Sequence, residues 1–94
     1  MPHLHLETTS DVAENQDIQD ILERLVGKLA TFETIAPASI KGYHSLRSTW
    51  SMGAGAPEGF VHLTVQILTG RPDELRVKIA DEMFAELKAC FPMS

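Results

Sequence analysis

The chain has 94 residues, 44% of them hydrophobic and 22% charged, with a formal net charge of −5. That length suits one small domain and that balance excludes a disordered polar chain. The acidic excess argues against general binding to nucleic acid or to an anionic membrane, and the lone Cys90 excludes an internal disulfide framework.

Elements follow in order. Leu4 and Leu6 alternate with His3, His5 and Glu7, which predicts a strand over 2–7 covered on one face. Thr8 to Gln16 is polar and reads as a connection rich in capping residues. From Asp17, the apolar positions Ile18, Ile21, Leu22, Leu25, Val26 and Leu29 form one stripe of an amphipathic helix. Pro37 stops its continuation. A second strand is expected within 39–50, and Gly53 to Gly59 has the composition of a loop. Val61, Leu63, Val65 and Ile67 alternate with His62, Thr64 and Gln66, predicting another strand. Pro72 opens a second helix with Asp73 and Glu74 in its first turn. Its apolar side is expected to comprise Leu75, Ile79, Met83, Leu87 and Cys90 or Phe91, joined by Ala80 and Phe84.

The order is β-α-β followed by β-α, a repeated unit whose second copy lacks its last strand. The expected fold is α+β, one domain over residues 1–94, with a mixed sheet and two helices on one face. The N-terminus has no basic segment followed by an apolar core, and no run of membrane-spanning length follows. A cytoplasmic protein is the expectation.

The chemistry starts at Pro2. Removal of Met1 would leave a secondary amine as the chain terminus, a rigid base that titrates near neutrality. A peptide-linked proline nitrogen has no basic lone pair, so the role depends on that removal. Several other features carry no site. His3 and His5 share a strand face, but no third and fourth ligand follow at recognisable spacing, so no metal is expected. His62 reads as structural, Trp50 as core packing, and Cys90 as a small buried hydrophobe. Gly53-Ala54-Gly55 lacks the later glycine and the strand-helix context of a dinucleotide site.

Pro2-His3-Leu4-His5-Leu6-Glu7, Ser48-Thr49-Trp50-Ser51-Met52, Phe60-Val61-His62-Leu63-Thr64 and Gly70-Arg71 occur in that order. Together they resemble the 5-carboxymethyl-2-hydroxymuconate isomerase family of the tautomerase superfamily, from Pro2 to about Phe91. The resemblance implies a cofactor-free isomerase with Pro2 as general base, acting on a small unsaturated hydroxy- or oxo-carboxylate in the breakdown of aromatic compounds. It implies a homotrimer with active sites near subunit interfaces. Lys41 and Arg71 are the implied substrate-binding cations, and Arg47 is a further candidate. The family carries arginine at the positions of Lys41 and Tyr43; lysine keeps the charge without the planar fork, and tyrosine loses the charge. A non-catalytic oligomeric domain of the same fold is the competing reading.

Overall fold

The computed structural model describes residues 2–94. It comprises β1 (His3–Thr9), a 3-10 turn at Ala13–Asp17, α1 (Ile18–Leu29), a second 3-10 turn at Pro37–Ser39, β2 (Lys41–Arg47), β3 (Val61–Gln66) and α2 (Asp73–Cys90). The fold is α+β, as the alternating pattern predicts.

The sheet has three strands in the order β2-β1-β3. β1 runs parallel to β2, which requires the crossover that α1 supplies, and antiparallel to β3. Residues opposite one another share a face. Leu4-Gly42-Val65, Leu6-His44-Leu63 and Thr8-Leu46-Val61 face the helices. His3-Lys41-Gln66, His5-Tyr43-Thr64 and Glu7-Ser45-His62 occupy the face that carries no helix.

The central position of β1 explains its composition. Leu4 and Leu6 are fully buried, packed with Ile21, Leu22, Leu25 and Leu29 of α1 and Ile79 and Met83 of α2. Gly42 has no side chain where α1 crosses β2; a Cβ there would lie 2.6 Å from Val26 Cγ2. The helices are tied to each other at the surface by Arg24–Glu86 and Lys28–Glu82. Such exposed pairs contribute little next to the core.

Three expectations are corrected. Strand β1 extends through Thr8 and Thr9, because both hydroxyls find partners inside the fold. Thr8 donates to Asn15 Oδ1 at 2.6 Å, and Thr9 accepts from the Phe60 amide at 3.0 Å. Phe84 and Ala80 do not join the core of α2; both are exposed, Phe84 by 61%. They lie toward the outer edge of β3, where the sheet ends and nothing described covers them. Trp50 is absent from the core cluster, and its indole instead donates to the Glu58 carbonyl at 2.8 Å, closing the 51–58 loop.

The chain's last residues are anchored by Glu14. Its carboxylate accepts the Met93 amide at 2.7 Å and the Ser94 hydroxyl at 2.8 Å. Burial pushes the Glu14 carboxyl up, but these hydrogen bonds prevail and hold it below the usual range. No helix is long and apolar enough to cross a membrane among the described residues.

Candidate active site at the Pro2 end of the sheet

Strand directions decide which residues can meet. β1 and β2 are parallel and β3 is antiparallel, so one end of the sheet gathers the start of β1, the start of β2 and the end of β3. Pro2 stands there, buried, and its carbonyl accepts the Lys41 amide at 3.0 Å. That bond places Lys41 one backbone link from Pro2. Lys41 itself is exposed, on the face without helices and opposite His3. Met1 lies outside the described residues.

Arg71 comes to the same end by the other route. β3 finishes at Gln66, opposite His3, and the chain turns through Gly70, whose φ of 100° favours glycine. Arg71 then reaches the α1–β2 connection. Its Nε donates to Thr34 Oγ1 at 3.2 Å, one Nη to the Thr34 carbonyl at 2.9 Å, and the other to the Leu68 carbonyl at 2.9 Å. These three bonds fix the guanidinium while its remaining two N–H groups stay free to donate. All its acceptors are neutral, so its positive charge is not cancelled.

That distinguishes it from most cations of the chain. Arg24, Lys28, Arg47, Arg76 and Lys78 each have a carboxylate partner. Among the described residues only Lys41, Arg71 and Lys88 have none, and two of those three stand at the Pro2 end.

Arg47 is not brought to this end. It pairs with Thr9 at the far end of β1, about 20 Å along the strand from His3. Its Nη2 and Nε donate to Glu7 Oε2 at 2.6 and 3.0 Å. Arg47 holds the Glu7 carboxyl below the usual range against the opposing effect of burial, with help from His62. Both His62 and Arg47 are therefore occupied by Glu7.

On the face without helices, Tyr43 lies tilted over His5 at 4.8 Å between ring centroids and edge-on to His3 at 6.1 Å. His5 Nε2 bonds Ser45 Oγ at 2.8 Å. Tyr43 thus packs on the two histidines. No group of three or more metal-ligating side chains occurs among the described residues.

Thr34 is the residue that the sequence did not disclose. It lies 37 positions from Arg71, and nothing in its local pattern marks it.

Three comparisons bear on this arrangement. The family model described as 5-carboxymethyl-2-hydroxymuconate isomerase matches residues 2–93. The 5-carboxymethyl-2-hydroxymuconate Delta-isomerase of Escherichia coli is 27% identical over 92 residues, covering 97% of this chain and 73% of that protein. The crystal structure of a 5-carboxymethyl-2-hydroxymuconate isomerase from Deinococcus radiodurans R1 superposes with a TM-score of 0.85 at 31% identity, covering 97% of this chain and 69% of that one. A further structure, of native Ps01740, shares the fold at a TM-score of 0.61 and 17% identity, covering 98% of this chain and 83% of that one. With the family match running from Pro2 nearly to the end of the chain, and the same architecture in a solved member, this chain belongs to the 5-carboxymethyl-2-hydroxymuconate isomerase family.

Proposed function

We propose that this protein is a cofactor-free isomerase that moves a proton within a small unsaturated hydroxy- or oxo-carboxylate, with the Pro2 amine as base. The relatives' printed names make 5-carboxymethyl-2-hydroxymuconate the first compound to try. Breakdown of aromatic compounds in the cytoplasm is the setting that fits such a substrate. The observation that carries the reading is the pair of uncancelled cations, Lys41 and Arg71, at the end of the sheet where Pro2 leads into β1.

Once Met1 is removed, the neutral Pro2 nitrogen takes a proton from the substrate, and the electron pair left behind delocalises onto oxygen as an enolate or dienolate. Lys41 and Arg71 hold the carboxylate and offset the charge that develops on that oxygen. The prolinium then returns the proton to a carbon other than the atom it left, whether that was the hydroxyl oxygen or another carbon, so atoms and charge balance with no other reactant. Arg71, braced by Thr34 and Leu68, presents fixed donors, whereas Lys41 contributes a mobile point charge. A neighbouring subunit, in a trimer of the kind the resemblance implies, would close the exposed side around Lys41.

Base catalysis requires neutral Pro2, so turnover falls as pH drops through the pKa of that amine. The test is ketonisation of unsaturated 2-hydroxy acids by untagged protein whose intact mass shows loss of methionine. One residue added before Pro2 abolishes turnover if the amine is the base; unchanged turnover refutes the role. Arg71→Ala is expected to lower kcat/KM by about 10- to 100-fold, the worth of a charged hydrogen bond. Arg47→Ala stays within about twofold, as expected away from the chemistry.

A second reading, a non-catalytic oligomeric domain, draws on the three internal bonds of Arg71, which suit a purely structural brace. It requires that folded, methionine-free protein show no ketonisation above background.

A further inference from the structure

Two bonds along one edge of the Arg71 guanidinium end at a single residue. Nε donates to Thr34 Oγ1 at 3.2 Å, and Nη2 donates to the Thr34 carbonyl at 2.9 Å. On the other side Nη1 donates to the Leu68 carbonyl at 2.9 Å. A guanidinium has five N–H groups, one on Nε and two on each terminal nitrogen. One N–H therefore stays free on Nη1 and one on Nη2, and none on Nε.

Thr34 is exposed, yet it is a fixed support. Phe32 and Ile35, on either side of it, are only 7% and 3% exposed and belong to the core cluster. The Ile35 amide donates to the Phe32 carbonyl at 3.0 Å, which closes a turn with Glu33 and Thr34 at its centre. Both ends of that turn are pinned in the core, while its middle offers a hydroxyl and a carbonyl to Arg71.

Carboxylates close in sequence are passed over. Glu33 precedes Thr34, and Asp73 follows Arg71 by two residues, but every acceptor of Arg71 is a neutral oxygen. Asp73 pairs with Arg76 instead, at 3.4 Å. A contact that served only to join two exposed connections would be stronger with a charged acceptor. Neutral acceptors fix the orientation of the guanidinium and leave its charge available to an anion. Its free N–H groups, one on each terminal nitrogen, match the two oxygens of one carboxylate.

We propose that Thr34 is a positioning residue: its hydroxyl holds Nε so that Arg71 meets a substrate carboxylate end-on, through Nη1 and Nη2. This rests on the reading of Arg71 as a carboxylate-binding cation of the proton-transfer site. A carboxylate held away from the reacting carbon is gripped alike in the ground state and the transition state, so Thr34 acts on KM rather than on kcat. Without the hydroxyl, Nε loses its acceptor and the guanidinium can turn about its two remaining bonds.

The test joins kinetics on 5-carboxymethyl-2-hydroxymuconate to heteronuclear NMR of the Arg71 Nε–H, both on isotope-labelled, methionine-free protein. Thr34→Val removes the hydroxyl but keeps the side-chain shape and the carbonyl, and circular dichroism controls for folding. It is expected to abolish the slow exchange of the Arg71 Nε–H and to raise KM about fivefold, the worth of one neutral hydrogen bond, with kcat within about twofold. Thr34→Ser restores both readouts. In an Arg71→Ala background Thr34→Val raises KM no further, because the hydroxyl then has nothing to position. An active Thr34→Val protein with wild-type KM overturns the positioning role and leaves Pro2 catalysis standing. So does the same KM rise in the Arg71→Ala background, or an Nε–H that exchanges as fast in wild type as in Thr34→Val. Wild type that protects the Nε–H yet shows no turnover overturns the proposed function, and this role with it.

Discussion

The two β-α halves begin from the same pattern and close differently. In the first, β1 lies between two strands and α1 buries Ile21, Leu22, Leu25 and Leu29 within 12 residues. In the second, β3 has a strand on one side only among the described residues, and α2 buries only Ile79, Met83 and Cys90 within 18. The core-facing residues follow suit. Leu4 and Leu6 on β1 are sealed, whereas Val61, Leu63 and Val65 on β3 are half-buried. Equal apolar patterning therefore gives unequal burial, because burial depends on neighbours to both sides and β3 has one among the described residues.

The largest test of that contrast is a matched pair of truncations. Leu6→Ala is expected to cost about 3–5 kcal/mol, as for a sealed core leucine. Leu63→Ala should cost about 1–2 kcal/mol, since its site is already open and loses less contact. Urea denaturation measures both; equal losses would break the contrast.

A smaller effect is expected where the C-terminal turn joins the first half. Glu14→Ala removes the acceptor for Met93 and Ser94 and should cost about 1–2 kcal/mol, read from the same denaturation curves. Amide exchange should then accelerate at Met93 and leave β1 unchanged. Accelerated exchange across β1 would mean that the anchor supports the whole sheet.

The smallest effect concerns His44, which faces the helix side of the sheet at the open edge of β2. Its Nε2 lies 2.8 Å from Thr8 Oγ1. Thr8 already donates to Asn15, so neutral His44 donates to Thr8 through Nε2–H. Burial first, and then the charge of His5, push the His44 pKa below its ordinary value. The unfolded chain therefore binds this proton more readily than the folded one. The contribution of His44 is complete above about pH 6.5, the unfolded value, and is lost as pH falls through the folded pKa. Glu14 and Glu7, both depressed, add further losses as pH falls below the ordinary carboxylate range. The urea midpoint of wild type should decline from pH 7 toward pH 5, and His44→Gln should flatten that interval. A wild-type midpoint flat over the same interval would remove His44 from the account.

Part of the candidate site was legible because Pro2 and Arg71 belong to motifs that occur in order along the chain. Pro2 and Arg71 were named within those motifs and Lys41 by its alignment with a cationic position of the family, and strand directions bring all three to one end of the sheet. Arg47 was named as a further candidate near the end of the second strand. Seven residues of extended backbone carry it away from Lys41, to a partnership with Glu7. Thr34 escaped notice because its contact with Arg71 joins two connections that are distant in the sequence.

What the sequence alone determined were the elements whose signals are local. The leucine alternation of β1, the stripe of α1 and the Pro72 start of α2 each depend on residues within a few positions of one another. Backbone geometry repeats over two or 3.6 residues, and side chains at those intervals must share a face. Only the tertiary structure decided that Thr8 and Thr9 extend β1, that Phe84 points past the sheet edge, and that Arg71 is braced by Thr34. Each of these depends on which strand lies beside which, a relation set by packing between segments far apart in the chain.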